Sequence, residues 1–183
     1  LDLYIGTYKQ CQKKWLKMSK TIKIIDNFLS KKEYLNIFST ITSIDFPWFF
    51  INKSSYQSTN KFDFHLGHLF YASEKGGRVN STKFDILLPL INKMKINTLV
   101  RIKANLKFCS DKIIKSAPHI DQEYFNCKNA IYYMNTNDGY TMIKNKKVKS
   151  VGNRIVFFDN NLEHYGTNCT DEKTRIILNF NYL

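Results

Sequence analysis

The sequence predicts an α+β domain in which N-terminal helices brace one sheet of a sandwich or open barrel. Three observations carry that expectation. Helical periodicity is confined to the part before residue 97, period-two alternation dominates after it, and 183 residues with 43% hydrophobic content suffice for one sizeable core.

"TIKIIDNF" reads as a short apolar strand leading into "SKKEYLNIFSTI". There Ser30 and Glu33 have the S-x-x-E spacing of a capping box, and Tyr34, Leu35, Phe38 and Ile41 recur at helical spacing. A second helix is predicted over "STKFDILLPLINKMK", with Ser81 near its start, Phe84, Leu87, Leu88, Ile91 and Met94 facing the core, and Pro89 kinking it. Between the helices, Phe62, Phe64 and Leu66 alternate as in a half-buried strand. Trp48, Phe49 and Phe50 are read as core rather than as a base-stacking platform, because adjacent aromatics on a strand face opposite ways. After residue 97, "NTLVRIKANLKF", "NAIYYMN", "GYTMI", "KKVKS", "NRIVFFDN" and "TRIILNFNYL" read as strands. "MSKTIKIIDNF" from Met18 looks like a natural start, so residues 1–17 are read as an N-terminal extension to a single domain over 18–183.

Composition narrows the function classes. The apolar and aromatic content excludes intrinsic disorder, and no apolar run approaches the roughly 20 residues needed to cross a bilayer. A net charge of +13 would attract nucleic acid, but arginine occurs only at 78, 101, 154 and 175 and the lysines are scattered, as on solvated faces. Cysteines at 11, 109, 127 and 169 have no C-x-x-C spacing, which supports neither a disulfide framework nor a zinc ribbon; a reducing cytoplasm is the expected setting.

The chemistry concentrates in three places. In "SAPHIDQEYF", His119 and Asp121 stand two residues apart, so on an extended chain both project to the same side. His164 follows the apolar strand of "VGNRIVFFDNNLEHYGTN". Farther on, the alternation of "TRIILNFNYL" puts Arg175, Ile177, Asn179 and Asn181 on one face and Ile176, Leu178 and Phe180 on the other. A guanidinium among aliphatics needs an anionic partner. Asp171 or Glu172 would serve, unless that face of the strand meets solvent.

H-x-D, a distant His and a following Arg together resemble the 2-oxoglutarate- and Fe(II)-dependent oxygenase superfamily, from about Ile22 to the C-terminus. "KNAIYYMNTNDGYTMI" is similar to the strand and turn after H-x-D in the prolyl-hydroxylase-like branch, and "RIKANLKF" to the strand before it in small forms from marine phage genomes. "NDGYT" departs from the Gly-Gly-Glu-Thr-like turn of prolyl hydroxylases, which bears on the substrate more than on the cofactors. The resemblance implies a double-stranded β-helix (jelly-roll, cupin-like) core. It further implies Fe(II) on His119, Asp121 and His164, with 2-oxoglutarate chelating the metal and its C5 carboxylate on Arg175, and O2 as co-reactant. Two imidazoles and one carboxylate suit non-haem Fe(II) and leave coordination positions open.

In the same comparison Tyr133 falls where a phenol meets the C5 carboxylate, its alternative being a core aromatic, and Asn105, on the face of Arg101, is placed to hydrogen-bond the cosubstrate. The implied reaction couples decarboxylation of 2-oxoglutarate to succinate and CO2 with hydroxylation of a C–H bond, in a peptide residue such as proline. Nucleic-acid hydroxylation or demethylation and a non-catalytic cupin-like binding module are the alternatives. His65 and His68 are left for structural or substrate-side roles, and the expected compartment is the cytoplasm, that of the host if the chain is a phage form.

Overall fold

The computed structural model describes residues 22–53, 60–75, 77–121 and 127–183. Residues 1–17, read above as an extension, lie outside them, as does Cys11. The strands are β1 (Lys23–Ile25), β2 (Phe49–Ile51), β3 (His65–Ala72), β4 (Arg78–Val79), β5 (Leu99–Phe108), β6 (Lys128–Tyr133), β7 (Tyr140–Ile143), β8 (Lys146–Lys149), β9 (Arg154–Asp159), β10 (His164–Gly166) and β11 (Thr174–Tyr182). The helices are α1 (Lys31–Ile41) and α2 (Leu88–Met94).

A large antiparallel sheet has the order β1-β9-β6-β11-β5-β3-β2, with β4 on β3, and a smaller sheet has the order β10-β7-β8. Bridges Lys115↔Thr167 and His119↔His164 set the chain around 115–119 beside β10, which widens the small sheet. Strands after residue 97 supply the centre of the large sheet and all of the small one, as their alternation predicts.

Each face of the large sheet has its own core. On the outer face Ala104, Ala130, Tyr132, Leu178 and Phe180 pack with Ile37 and Ile41 of α1 and Leu90 of α2. On the inner face Ile131, Val156 and Phe158 meet Ile143 and Val148 of the small sheet. Two facing antiparallel sheets, one braced from outside by helices, make the double-stranded β-helix arrangement. No helix among the described residues is long and apolar enough to cross a membrane.

The first helix forms as its cap predicts. Ser30 Oγ accepts from Glu33 N, and the Glu33 carboxylate accepts from Ser30 N at 3.0 Å, a reciprocal arrangement worth about 1 kcal/mol. Its buried residues are Ile37 and Ile41, whereas Leu35 is 46% exposed. Leu35 belongs to the apolar set at helical spacing but stays outside the core, because the helix leans its Ile37 side onto the sheet. The second helix is a 3-10 turn over Phe84–Leu87 followed by α2. Pro89 sits in the first turn of α2 and kinks nothing, since a missing N–H is harmless there. Leu87 and Leu90 are fully buried and Leu88 is exposed, so the short element presents a different face than one continuous helix would.

Two aromatic groups also differ from expectation. Phe49 and Phe50 on edge strand β2 are exposed, and only Trp48 packs toward the core, its Nε1 donating to Ile41 O at 3.1 Å. Phe62 and Phe64 precede β3 and are exposed, while Asp63 and His65 are buried. The alternation there is real, but its inner side is polar: His65 lines a cavity and Asp63 pairs with Lys107 at 2.9 Å.

Asn153 ties the braces to the sheet. It adopts the left-handed region at φ 62°, its Oδ1 accepts from Leu29 N at 2.8 Å and from Tyr132 Oη at 2.7 Å, and its Nδ2 donates to Leu29 O at 2.9 Å. Asn153→Ala strands these buried groups and adds a β-carbon penalty at positive φ. It should cost about 2–4 kcal/mol in urea unfolding. Asn153→Asp keeps the acceptor and should lose less; equal losses would mean the side-chain bonds contribute nothing.

Candidate active site

The cavity wall follows from strand periodicity. Along β5, Arg101, Lys103, Asn105 and Lys107 point inward and are partly buried, while Ile102, Ala104 and Leu106 pack outward. Register then sets Arg175 beside Lys107, Ile177 beside Asn105, Asn179 beside Lys103 and Asn181 beside Arg101. These rungs floor a cavity of about 720 Å³ that reaches from Arg175 and Thr141 to His119, Asp121 and His164.

His119 and His164 are cross-strand neighbours, joined by a reciprocal pair of backbone hydrogen bonds at 3.0 Å, with ring centroids 4.7 Å apart. Asp121 lies between the rings, its oxygens 3.6 Å from His119 Nε2 and 3.7 Å from His164 Nε2. The candidate ligand atoms all fall within 4.8 Å of one another. Each imidazole donates through Nδ1 to a backbone carbonyl, His119 to Ala117 O and His164 to Leu162 O, both at 3.0 Å. That fixes the tautomer and leaves the Nε2 lone pairs facing the common centre.

Asp121 is cradled by amides. Its Oδ2 accepts from Nδ2 of Asn179, Asn181 and Asn129 at 2.8, 3.2 and 3.4 Å, and its Oδ1 faces the Arg101 guanidinium at 3.1 Å. Burial alone would raise the Asp121 pKa, but the His119 contact and the charges of His164 and Arg101 hold it well below the usual range. Burial pushes His164 down. It opposes the charged form of His119 too, yet the contact with Asp121 outweighs it and His119 is raised. Phe158 packs edge-on against His164 at 5.0 Å and supplies an apolar wall.

Arg175 is 3% exposed, at the other end of the floor. Its Nε donates to Ser150 Oγ at 2.7 Å and its terminal nitrogens to Thr167 O at 3.2 Å and Thr141 Oγ1 at 2.9 Å. Among the described residues it has no carboxylate within ion-pair distance. Asp171, one of the partners considered from sequence, instead accepts from Asp138 N at 2.9 Å. The neighbouring Lys107 is matched by Asp63 at 2.9 Å, so of these two cations it is Arg175, whose pKa burial pushes down, that lacks a carboxylate among the described residues. Tyr133 packs beneath it, ring centre 5.6 Å from Arg175 Cζ. The buried Tyr133 Oη lies near Thr141 without a hydrogen bond of ordinary geometry, and Tyr133 does not line the cavity. Asn105 does line it, on the face of Arg101 as expected.

The departing turn has a steric role. A β-carbon on Gly139 would come within 2.6 Å of Arg175 Cδ and 2.8 Å of Asn137 Oδ1, and closer still to the Asn168 backbone oxygen. Gly139→Ala should therefore displace the guanidinium from Ser150 and Thr141 and cost about 2–4 kcal/mol in urea unfolding. An unchanged stability would show that the turn moves freely of Arg175.

Of the remaining histidines, His68 is structural, held between Pro47 O and Ser81 Oγ at 2.8 Å each. His65 lines the cavity, with Lys103 Nζ 3.3 Å from its Nε2. The Asn129, Asn179 and Asn181 cradle was half legible, since alternation already placed the last two with Arg175. Thr141, Ser150 and the Arg101 contact carried no sequence signal.

No protein-family model matches the sequence, and no curated protein does. Solved structures do match in fold. A prolyl hydroxylase in complex with a hypoxia-inducible-factor oxygen degradation domain peptide fragment, from Trichoplax adhaerens, is 15% identical with a TM-score of 0.61, covering 90% of this chain and 84% of that one. An oxidoreductase of the 2OG-Fe(II) oxygenase family from Burkholderia pseudomallei is 8% identical with a TM-score of 0.65, covering 88% and 84%. The non-haem α-ketoglutarate-dependent epimerase SnoN from nogalamycin biosynthesis is 12% identical with a TM-score of 0.60, covering 88% and 77%. The chain therefore has the double-stranded β-helix fold of the 2-oxoglutarate- and Fe(II)-dependent oxygenases.

Proposed function

We propose that this chain, through a domain spanning residues 18–183, is an Fe(II)- and 2-oxoglutarate-dependent dioxygenase that hydroxylates a C–H bond in a peptide or protein residue. The observation that carries the reading is one cavity holding both a His, His, carboxylate cluster and a buried, uncompensated guanidinium. The donor set suits Fe(II), and the carbonyl-anchored imidazoles present their free nitrogens to it. A buried guanidinium with no carboxylate within ion-pair distance among the described residues suits a ligand carboxylate, and Thr141 beside it offers a hydroxyl to the same group.

In this reading His119, Asp121 and His164 hold the metal, which with 2-oxoglutarate and O2 supplies the oxidising chemistry that yields succinate, CO2 and a hydroxylated product. Arg175 and Thr141 hold the C5 carboxylate, and Asn105 offers an amide from the adjoining strand. Arg101 and the asparagine amides keep Asp121 ionised and oriented. Ile131, Ile177 and Phe158 keep the surroundings of the cluster apolar, which limits water.

Peptide as the substrate class is supported by the peptide bound to the prolyl hydroxylase of the same fold. The test is succinate release by the Fe(II)-loaded chain with and without candidate substrates, read beside mass spectrometry for an added oxygen. Peptide product supports the proposal. Oxidised or demethylated bases without peptide product would reassign the substrate to nucleic acid, and metal binding without any succinate would indicate a binding module.

A further inference from the structure

Among the described residues the charges around the cavity do not balance, and the imbalance bears on the substrate. There the lining cations are Lys53, Arg101, Lys103, Lys107 and Arg175, against Asp121 as the one lining carboxylate. Arg101 is matched by Asp121 at 3.1 Å and Lys107 by Asp63 at 2.9 Å. On the reading above, Arg175 takes the cosubstrate carboxylate. Lys103 is left with no carboxylate within ion-pair distance among the described residues, and Lys53 stands exposed at the rim.

Lys103 is also held in place. A β-carbon on Gly67 would come within 3.0 Å of Lys103 Cε and of Ile51 Cγ1, so the bare glycine makes room for the lysine stem. At its tip, Nζ lies 3.3 Å from His65 Nε2. His65 is kept neutral, its pKa pushed down to about 3, chiefly by burial, and so accepts without neutralising the ammonium. Burial and then the charge of Arg101 lower Lys103 itself to about 8, against the pull of the more distant Asp121, which still leaves it charged at neutral pH. In the sheet Lys103 pairs with Asn179, whose amide holds Asp121, so it stands one strand from the metal cluster, on the side away from β6. A half-buried cation fixed by a glycine and a neutral histidine is costly without an anion.

We propose that the substrate is an acidic peptide, one carboxylate of which pairs with Lys103 while the bond to be oxidised meets the His119, Asp121, His164 cluster. The inference rests on the dioxygenase reading and deepens it. A carboxylate fits better than a phosphate, which generally takes several charged donors at once. Arg101 is already committed to Asp121 and Asn181, and Lys107 to Asp63 and Ser116, so a single ammonium remains beside the cluster.

The experiment uses the full chain loaded with Fe(II) and 2-oxoglutarate, and synthetic peptide pools that differ at one position, Glu, Gln or Lys. Oxidation is read by mass spectrometry, and binding by anisotropy of the fluorescein-labelled pools at 0.15 M salt, roughly the physiological ionic strength. The Glu pool should be bound and oxidised at least about tenfold better than the Gln pool. Lys103→Met should abolish that preference, and Lys103→Glu should shift it toward the Lys pool. A Glu preference that survives in Lys103→Met reflects the general surface charge and would overturn the inference, as would equal use of Glu and Gln pools. Gly67→Ala, which displaces the lysine stem without removing charge, should weaken the preference if the variant melts like the parent. An equal loss of 2-oxoglutarate affinity in Lys103→Met would assign the residue to the cosubstrate and likewise overturn it. Oxidised bases in single-stranded DNA without peptide product would remove both the inference and the peptide reading, whereas absence of succinate under every condition would remove the dioxygenase reading itself.

Discussion

On the dioxygenase reading, replacing Arg175 by Gln should raise the apparent Michaelis constant for 2-oxoglutarate by roughly ten- to a thousandfold, the range expected when a charge-assisted contact is removed from a poorly hydrated pocket. Iron binding is largely spared, because Ser150, Thr141 and Thr167, the partners of Arg175, hold none of His119, Asp121 or His164. Arg175→Lys falls between the two, keeping the charge and losing the planar fork. Steady-state kinetics against 2-oxoglutarate, beside metal analysis of the same preparations, provide the measurement. An unchanged dependence in the Gln variant would hand the cosubstrate to another cation. Lys103 would be the first suspect, since among the described residues it has no carboxylate within ion-pair distance, whereas Lys107 is engaged with Asp63, Arg154 with Asp26 and Arg101 with Asp121.

The His119→Ala and His164→Ala variants should each lose bound iron and at least about a hundredfold of turnover, since two remaining donors hold a divalent ion poorly. Neither substitution disturbs the backbone pairing of 119 with 164, which runs through main-chain atoms, so melting temperatures should change little. Asp121→Ala is different in kind. It removes a ligand and also strands Arg101 and the amides of Asn129, Asn179 and Asn181, so lost iron and a destabilisation of about 3 kcal/mol should appear together. Wild-type iron stoichiometry and turnover in either His variant would mean that the cluster is not the metal site.

Local periodicity made much of this molecule legible. The alternation along β11 separates Arg175, Ile177, Asn179 and Asn181 from Ile176, Leu178 and Phe180, and the two sets do face the cavity and the outer core. The H-x-D spacing set His119 and Asp121 side by side for the same reason, and Ser30 with Glu33 closed its capping box within one turn. Hydrophobicity and burial part company before β5. Phe49, Phe50, Phe62 and Phe64 are apolar and exposed, while Asp63 and His65 are polar and buried. An aromatic pattern tells which residues share a face, but not whether that face meets a core, a cavity or water.

By itself, then, the sequence determined which side chains project together, because pleat and helical pitch are properties of the backbone over a few residues. Only the tertiary structure decided what those groups meet. Asn179 reaches Asp121 across 58 residues, Arg175 reaches Thr141 across 34, and Asn153 reaches Leu29 across 124. Such partners are chosen by sheet order and register, which no local pattern encodes. The same pairing that cradles Asp121 also leaves Lys103, among the described residues, without a carboxylate in ion-pair distance beside the His119, Asp121, His164 cluster.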